Sequence, residues 1–162
     1  MKHLWQSLPS IAHVQRIAHS LKHWTGRDLI PETPVTEPDR DDFPAWFADQ
    51  IFHAPFVLVS HGTESDPVLN YGNQAALTLW EMSWDELTHT PSRLTAETPN
   101  RQERDRLLAT VTRNGFIDDY SGIRISRSGH RFRILQATVW NLLDDPGNYA
   151  GQAAMFSDWD SL

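Results

Sequence analysis

Residues 120–159, YSGIRISRSGHRFRILQATVWNLLDDPGNYAGQAAMFSDW, decide the fold. From Ile117 onward the apolar residues recur with a period of two, the signature of strands rather than helices. Three strands follow: YSGIRIS, RFRILQATVWNLL and YAGQAAMFSDW. Ser128-Gly129 is a two-residue hairpin turn, and Asp144–Asn148, with Pro146-Gly147 inside, is a longer one. With the first turn on Ser128-Gly129, Ile125 opposes Phe132 and Ile123 opposes Ile134. Apolar pairs then coincide, as a buried face requires. With Leu143 against Tyr149, Trp140 opposes Gln152, Thr138 opposes Ala154 and Gln136 opposes Phe156. One sheet face is thereby expected to carry Gln136, Thr138, Trp140 and Gln152. On the other face Arg124 meets Arg133, a like-charge pair that needs solvent or acids. Its apolar end needs a cover, from the N-terminal helices or a second subunit.

Upstream, FVLVS (56–60) and VLNY (68–71) are short strands joined by the turn-forming HGTESDP. In the next segment Ala76, Trp80 and Trp84 fall at i, i+4 and i+8, with Leu87 at i+11. Asn73 caps this helix. Ser83 and Glu86 have capping-box spacing, which breaks it near Ser83 into two short helices. Trp80 and Trp84 are expected on one side, against the sheet. Thr98-Pro99 opens a polar helix that Gly115 stops, with Leu107, Leu108 and Val111 as its apolar stripe. Its arginines, Arg104 among them, are interrupted by Glu103 and Asp105 and suit a solvated face. The order β-β-α-α-α-β-β-β gives an α+β fold with one five-stranded antiparallel sheet and helices on one face.

Before this domain (44–162) lie an amphipathic helix within 1–26 and a Pro/acid-rich linker, 27–43. Ile11, Val14, Ala18, Leu21 and Trp24 mark the helix stripe, Ser10 its N-cap and Gly26 its stop. Pro31, Pro34 and Pro38 mix with acids in the linker. The helix can therefore dock on its own domain or on a neighbour. Pro44 opens a further short helix with Trp46, Phe47 and Ile51 as its apolar face.

The chain has 162 residues, a net charge of −7, seven tryptophans and no cysteine. The acidic balance argues against nucleic acid as a partner. No apolar run approaches the roughly 20 residues of a membrane span, and the N-terminus lacks a signal-peptide core. A cytoplasmic location is expected. The lack of cysteine excludes disulfides and thiolate chemistry. His19 and His23 have a metal-compatible spacing, but no adjacent acid completes an H-E-x-x-H motif, and no metal site is expected. His53, His61 and Asp66 can form a small acid–base group near the first hairpin, without a nucleophile. No catalytic motif is present, so an enzyme is the least favoured of three readings.

A resemblance adds to this. NYGNQAALTLWEMSWDEL (70–87), PSRLTAE (91–97), RQERDRLL (101–108), GFIDDYSGIRISRSGHRFRI (115–134) and ATVWNLLDDPGNYAGQAAMF (137–156) resemble the MEKHLA domain, a relative of the PAS fold. The likeness runs from about Pro44 to Trp159. It implies a PAS-like sheet and a sensory or regulatory role: binding a small molecule, responding to light or redox state, or mediating dimerisation. The family occurs at the C-terminus of plant class III homeodomain-leucine zipper proteins and as stand-alone bacterial proteins, which this chain resembles in size. It supplies no catalytic residues. A cysteinyl-flavin adduct is impossible without cysteine. Haem is disfavoured, because 99–114 contains no histidine. Non-covalent flavin stays open. The first reading is a sensory domain binding a small, largely apolar ligand in a pocket of Trp80, Gln136, Thr138, Trp140 and Gln152, with the docking of 10–25 shifted on binding. The second is a ligand-free module for homodimerisation or a protein partner.

Overall fold

The chain builds its secondary structure where caps and turn residues permit. A computed structural model describes residues 3–30 and 42–162; the linker expected at 27–43 falls largely on 31–41, outside the described residues. The helices are α1 (Leu8–Thr25), α2 (Phe43–Phe52), α3 (Gln74–Trp80), α4 (Trp84–Leu87) and α5 (Thr98–Asn114). The strands are β1 (Val57–His61), β2 (Leu69–Gly72), β3 (Phe116–Ile125), β4 (Arg131–Leu143), β5 (Tyr149–Phe156) and β6 (Asp158–Ser161). Asn73 caps α3 by accepting from Ala76 N at 3.2 Å. The same buried side chain accepts from Leu58 N and donates to Ile51 O and Phe56 O, tying α2, β1 and α3 together. Glu81 ends α3 in the left-handed region, and the reciprocal Ser83/Glu86 capping box restarts the chain as α4. Gly115 terminates α5.

All strand pairings are antiparallel, in the order β2-β1-β5-β4-β3. The five expected strands are present. The last of them bends at Ser157, and its end forms a sixth, β6, beside the first half of β4. Helices cover both faces rather than one. On one face, α3 and α5 enclose Val57, Trp80, Leu107, Phe132, Ile134, Val139 and Phe156. On the other, α1 and α2 bury Val14, Ile17, Leu21, Phe47 and Ile51 against Leu58, Trp140 and Leu142. Each fully buried aliphatic side chain contributes about 1.5–3 kcal/mol, so α1 is an integral part of the core. Directional bonds fix its register: Trp140 Nε1 donates to Ile17 O at 3.2 Å, Trp24 Nε1 to Asn141 O at 2.9 Å, and Leu143 N to Ser20 Oγ at 2.9 Å. The cover that the sheet required comes from its own N-terminal helices.

The expected registers need three corrections. The β3–β4 loop has three residues, not two: Ser126 N bonds His130 O, and Gly129 sits at φ +94°. Gly129 supplies the left-handed residue that a three-residue hairpin uses. Ile125 therefore faces Arg131, Arg124 faces Phe132 and Ile123 faces Arg133, so the expected Arg124/Arg133 pair does not form. Farther along, β4 gains one residue relative to β3 between Ile134 and Ala137, and Gln136 there has φ +50°. This is a β-bulge, and it reverses which face every later residue meets. Between β4 and β5 Leu143 does oppose Tyr149, but an extra residue on β5 places Gln152 against Asn141 and Ala153 against Trp140. That bulge centres on Gly151, at φ +121°, where an added Cβ would lie 2.2 Å from His61 O.

Two outcomes follow from this packing. Gly151→Ala forces both a left-handed alanine and a backbone collision, and should lower stability by about 2 kcal/mol or more, read from the denaturant midpoint. His13, on α1, lies 2.8 Å through Nε2 from Ser60 Oγ, which itself donates to Asn70 Oδ1. Burial first, then the charge of Arg16, lowers its pKa from 6.5 to about 4. The undocked helix thus binds the proton more readily. The His13 contribution to docking is full above about pH 6.5 and is lost as pH falls towards 4. Amide exchange across 8–25 should rise through that window in the native chain, and less steeply in His13→Gln.

Candidate functional site

Between the sheet and α3/α5 lies a cavity of about 70 Å³. Its apolar wall comes from alternate strand positions: Val59 on β1, Ile134 and Val139 on β4, and Ala154 and Phe156 on β5. Trp80, from the last turn of α3, adds an indole face packed edge-on against Phe132 and Phe156. Leu107 from α5 completes the apolar part.

The other wall is polar. Arg104 shares the buried stripe of α5 with Leu107 and Val111. It donates to the Ser92 hydroxyl, in the 3₁₀ turn Ser92–Thr95, and at 3.1 Å to Asp105 Oδ1. Its pKa is lowered, by burial first and then by the charge of Arg124. Arg124, buried on β3, donates to the Tyr120 hydroxyl at 3.1 Å and to Ile123 O at 2.9 Å. Tyr120 Oη in turn lies 3.5 Å from Glu103 Oε2. Gly122 makes this possible: a Cβ there would sit 2.0 Å from the Tyr120 hydroxyl. Residues 120, 122 and 124 thus serve as ring, gap and cation along one strand face.

A third group links the cavity to the far side of the sheet. His61 contacts Gln152 Oε1 through Nε2 at 3.2 Å and Gly62 O through Nδ1 at 2.9 Å. Desolvation lowers its pKa. Gln152 Nε2 donates to Leu108 O, Thr112 Oγ1 and Asn141 Oδ1 at 3.0–3.1 Å. Asn141 Nδ2 caps the end of α5 through Val111 O and Thr112 O. Its own carbonyl accepts from Trp24 of α1.

Of the five residues expected to share a pocket, only Trp80 and Gln152 line the cavity. The Gln136 bulge is the reason. It leaves Gln136 itself exposed and turns Thr138 and Trp140 to the α1 face. Thr138 accepts from Arg27 there at 3.1 Å, while Trp140 is fully buried. Trp80 and Trp84 also part company, because the left-handed Glu81 separates their helices. Trp84 packs edge-on to Tyr71 in the α1-side core. The acid–base group is not assembled: Asp66 pairs with Arg93, and His53 with Asp49 on α2. Among the described residues no three His, Cys, Asp or Glu side chains gather as a metal site, and no helix is long and apolar enough to cross a membrane. The residues missed were Arg104, Tyr120 and Arg124, while His61, expected in the acid–base group, lines the cavity beside Gln152 instead. Arg104 carried a legible signal, falling three and seven positions before Leu107 and Val111.

The MEKHLA domain profile matches residues 11–161, a span that includes most of α1. The chain is 26% identical over 147 residues to the homeobox-leucine zipper protein ATHB-14 of Arabidopsis thaliana, covering 90% of this chain and 17% of that protein. Among solved structures, the PAS domain of a protein from Colwellia psychrerythraea superposes with a TM-score of 0.60 at 13% identity, covering 75% of this chain and 98% of that one. An RNA-binding light-oxygen-voltage receptor gives 0.65 at 17% identity, over 78% of this chain and 36% of that one. A light-oxygen-voltage domain studied with a flavin analogue gives 0.56 at 16%, over 72% and 84%. The chain belongs to the MEKHLA domain family and has the PAS-like fold.

The polar network predicts a sharp contrast between two substitutions. Gln152→Leu strips partners from His61 and Asn141 and should cost about 1–3 kcal/mol. Trp80→Phe removes an indole N–H that no described residue accepts, and should cost only the packing lost against Phe132 and Phe156, with no hydrogen-bond penalty. Paired thermal melts measure both.

Proposed function

We propose that this MEKHLA domain is a sensory or regulatory module that holds a small molecule in the cavity and reports its presence through α1. The supporting observation is the alternation along three strands. His61, Asn141 and Gln152 bond to one another or to α5 on the cavity side. Their chain neighbours Ser60, Trp140 and Ala153 face α1 and its surroundings. Asn141 belongs to both sides, since its side chain holds Gln152 and its carbonyl holds Trp24. A guest that shifts Gln152 therefore acts on the bonds that seat α1. Changing the docking equilibrium tenfold needs a difference of only about 1.4 kcal/mol between the two seatings.

The cavity argues for a guest of a few heavy atoms. Pockets for drug-sized ligands span roughly 300–1,000 Å³, several times the volume here. A flavin, named with one of the structural relatives, does not fit this cavity as shaped. The two arginines argue that the guest is not wholly apolar.

The second reading, a homodimerisation or interaction module, draws on Leu4 and Leu8, which remain 60% and 79% exposed at the start of the α1 region. Light scattering on the native chain and on Leu8→Glu separates the two. Loss of a dimer in the variant supports an interaction role, and a monomer throughout removes it.

For the sensory reading, native mass spectrometry should find protein with a small adduct, and stripping that adduct should change amide exchange across 8–25 several-fold. A bare mass, together with α1 exchange indifferent to every small molecule offered, would overturn it.

A further inference from the structure

Three of the polar groups on the cavity, those of Arg104, Arg124 and Trp80, donate hydrogen bonds and accept none. Arg104 and Arg124 are 5% and 7% exposed, and a guanidinium carries five N–H donors and no acceptor. Each donates two hydrogen bonds to the described residues, Arg104 to Ser92 and Asp105 and Arg124 to Tyr120 and Ile123. Trp80, on the same cavity, has a buried indole N–H without an acceptor among the described residues. Indole too is a donor only. Among the described residues Asp105 is the one carboxylate bonded directly to either guanidinium, and its side chain is 69% exposed. Its charge is spent largely on water and is screened by salt. Two cations thus face one cavity with little counter-charge. Burying charge without a partner is costly, and the cost falls when an anion with matching acceptors enters.

The complement to this lining is a group that only accepts and carries a negative charge. An ionised carboxylate does both, and its two oxygens match the guanidinium fork. The remaining wall, Val59, Leu107, Ile134, Val139 and Phe156, offers nothing to hydrogen-bond and suits a hydrocarbon tail. Resting on the reading that the cavity holds a small guest, we propose that the guest is a short-chain carboxylate. Its head lies on Arg104 and Arg124, and its tail against the Leu107–Val139–Phe156 wall. The cavity of about 70 Å³ limits that tail to a few carbons, being several times smaller than pockets that hold drug-sized ligands, roughly 300–1,000 Å³.

Calorimetric titration of the full chain with sodium propionate, butyrate and valerate, beside butyramide and formate, tests this. One of the three acids should bind at least about tenfold more tightly than butyramide. Formate, which lacks a tail, should be weaker than the best acid. The guanidinium Nε resonances of the unmutated protein should move on adding that acid, which gives a readout independent of any variant's folding. Arg124→Met should lose most of the affinity while its unliganded melting temperature stays level or rises, because a buried like charge has gone. Butyramide binding as well as butyrate, or Arg124→Met retaining butyrate affinity, would overturn the carboxylate assignment and leave the small-guest reading standing. Formate matching butyrate would overturn the tail. No binding by acid or amide, with a bare native mass, would remove both readings.

Discussion

The left-handed Gln136 in the middle of β4 sets the arrangement of everything around it. A non-glycine residue there costs on the order of 1–3 kcal/mol, so the neighbouring pairings must hold it. Before the bulge Phe132 and Ile134 point to the cavity side; after it Ala137 and Val139 do. Strict alternation would instead have sent Thr138 and Trp140 to the cavity and Val139 to α1. A tryptophan in place of valine would have filled the space. The bulge thus leaves a cavity on one face and supplies a large flat ring for α1 on the other, from adjacent residues. Trp140 uses its indole N–H on Ile17 O, so the same residue fixes both the depth and the register of the helix.

Gly151 performs the corresponding task on β5. Without its extra residue Gln152 would oppose Trp140. With it, Gln152 opposes Asn141, and two amides that can both donate and accept come together with His61. The resulting network joins β1, β4, β5 and α5 and is well satisfied, which is the condition under which a buried polar cluster rigidifies rather than weakens a core. The arginine side of the cavity differs in kind, because its donors outnumber the acceptors offered to them by the described residues.

Much of the fold was legible because the signals for elements are local. Asn73 before a helical stripe, Ser83 with Glu86 three residues on, and Gly115 after Val111 each declare a boundary through backbone hydrogen bonds that those residue types satisfy. The strands of 116–156 were legible from their period. Registers were not, because a bulge leaves the period intact on either side of itself and changes only the phase. Gly151 could have signalled one. Gln136 could not, since glutamine carries no preference for φ > 0 that would betray it. Four of the five residues assigned to the pocket followed from β4 and β5 read in strict alternation, so one phase error displaced Thr138 and Trp140 together.

A separate error, in the length of the β3–β4 turn, concealed the chemistry of the site. Placing Ile125 against Phe132 sent Arg124 outward, into an expected clash with Arg133. In the folded chain Arg124 is buried, and Arg133 is exposed opposite Ile123. Arg104 was hidden by composition: a helix rich in Arg, Glu and Asp reads as solvated, although one of its cations lies squarely on the apolar stripe. A buried arginine on a helix and another on a strand, converging on one space, is a long-range coincidence that no window of sequence contains. At 13–17% identity the PAS-like relatives share the scaffold, and nothing in that likeness dictates which side chains line the interior. The donors of Arg104, Arg124 and Trp80 belong to this chain's own sequence. It is these, rather than the fold, that give the cavity lining its chemical character.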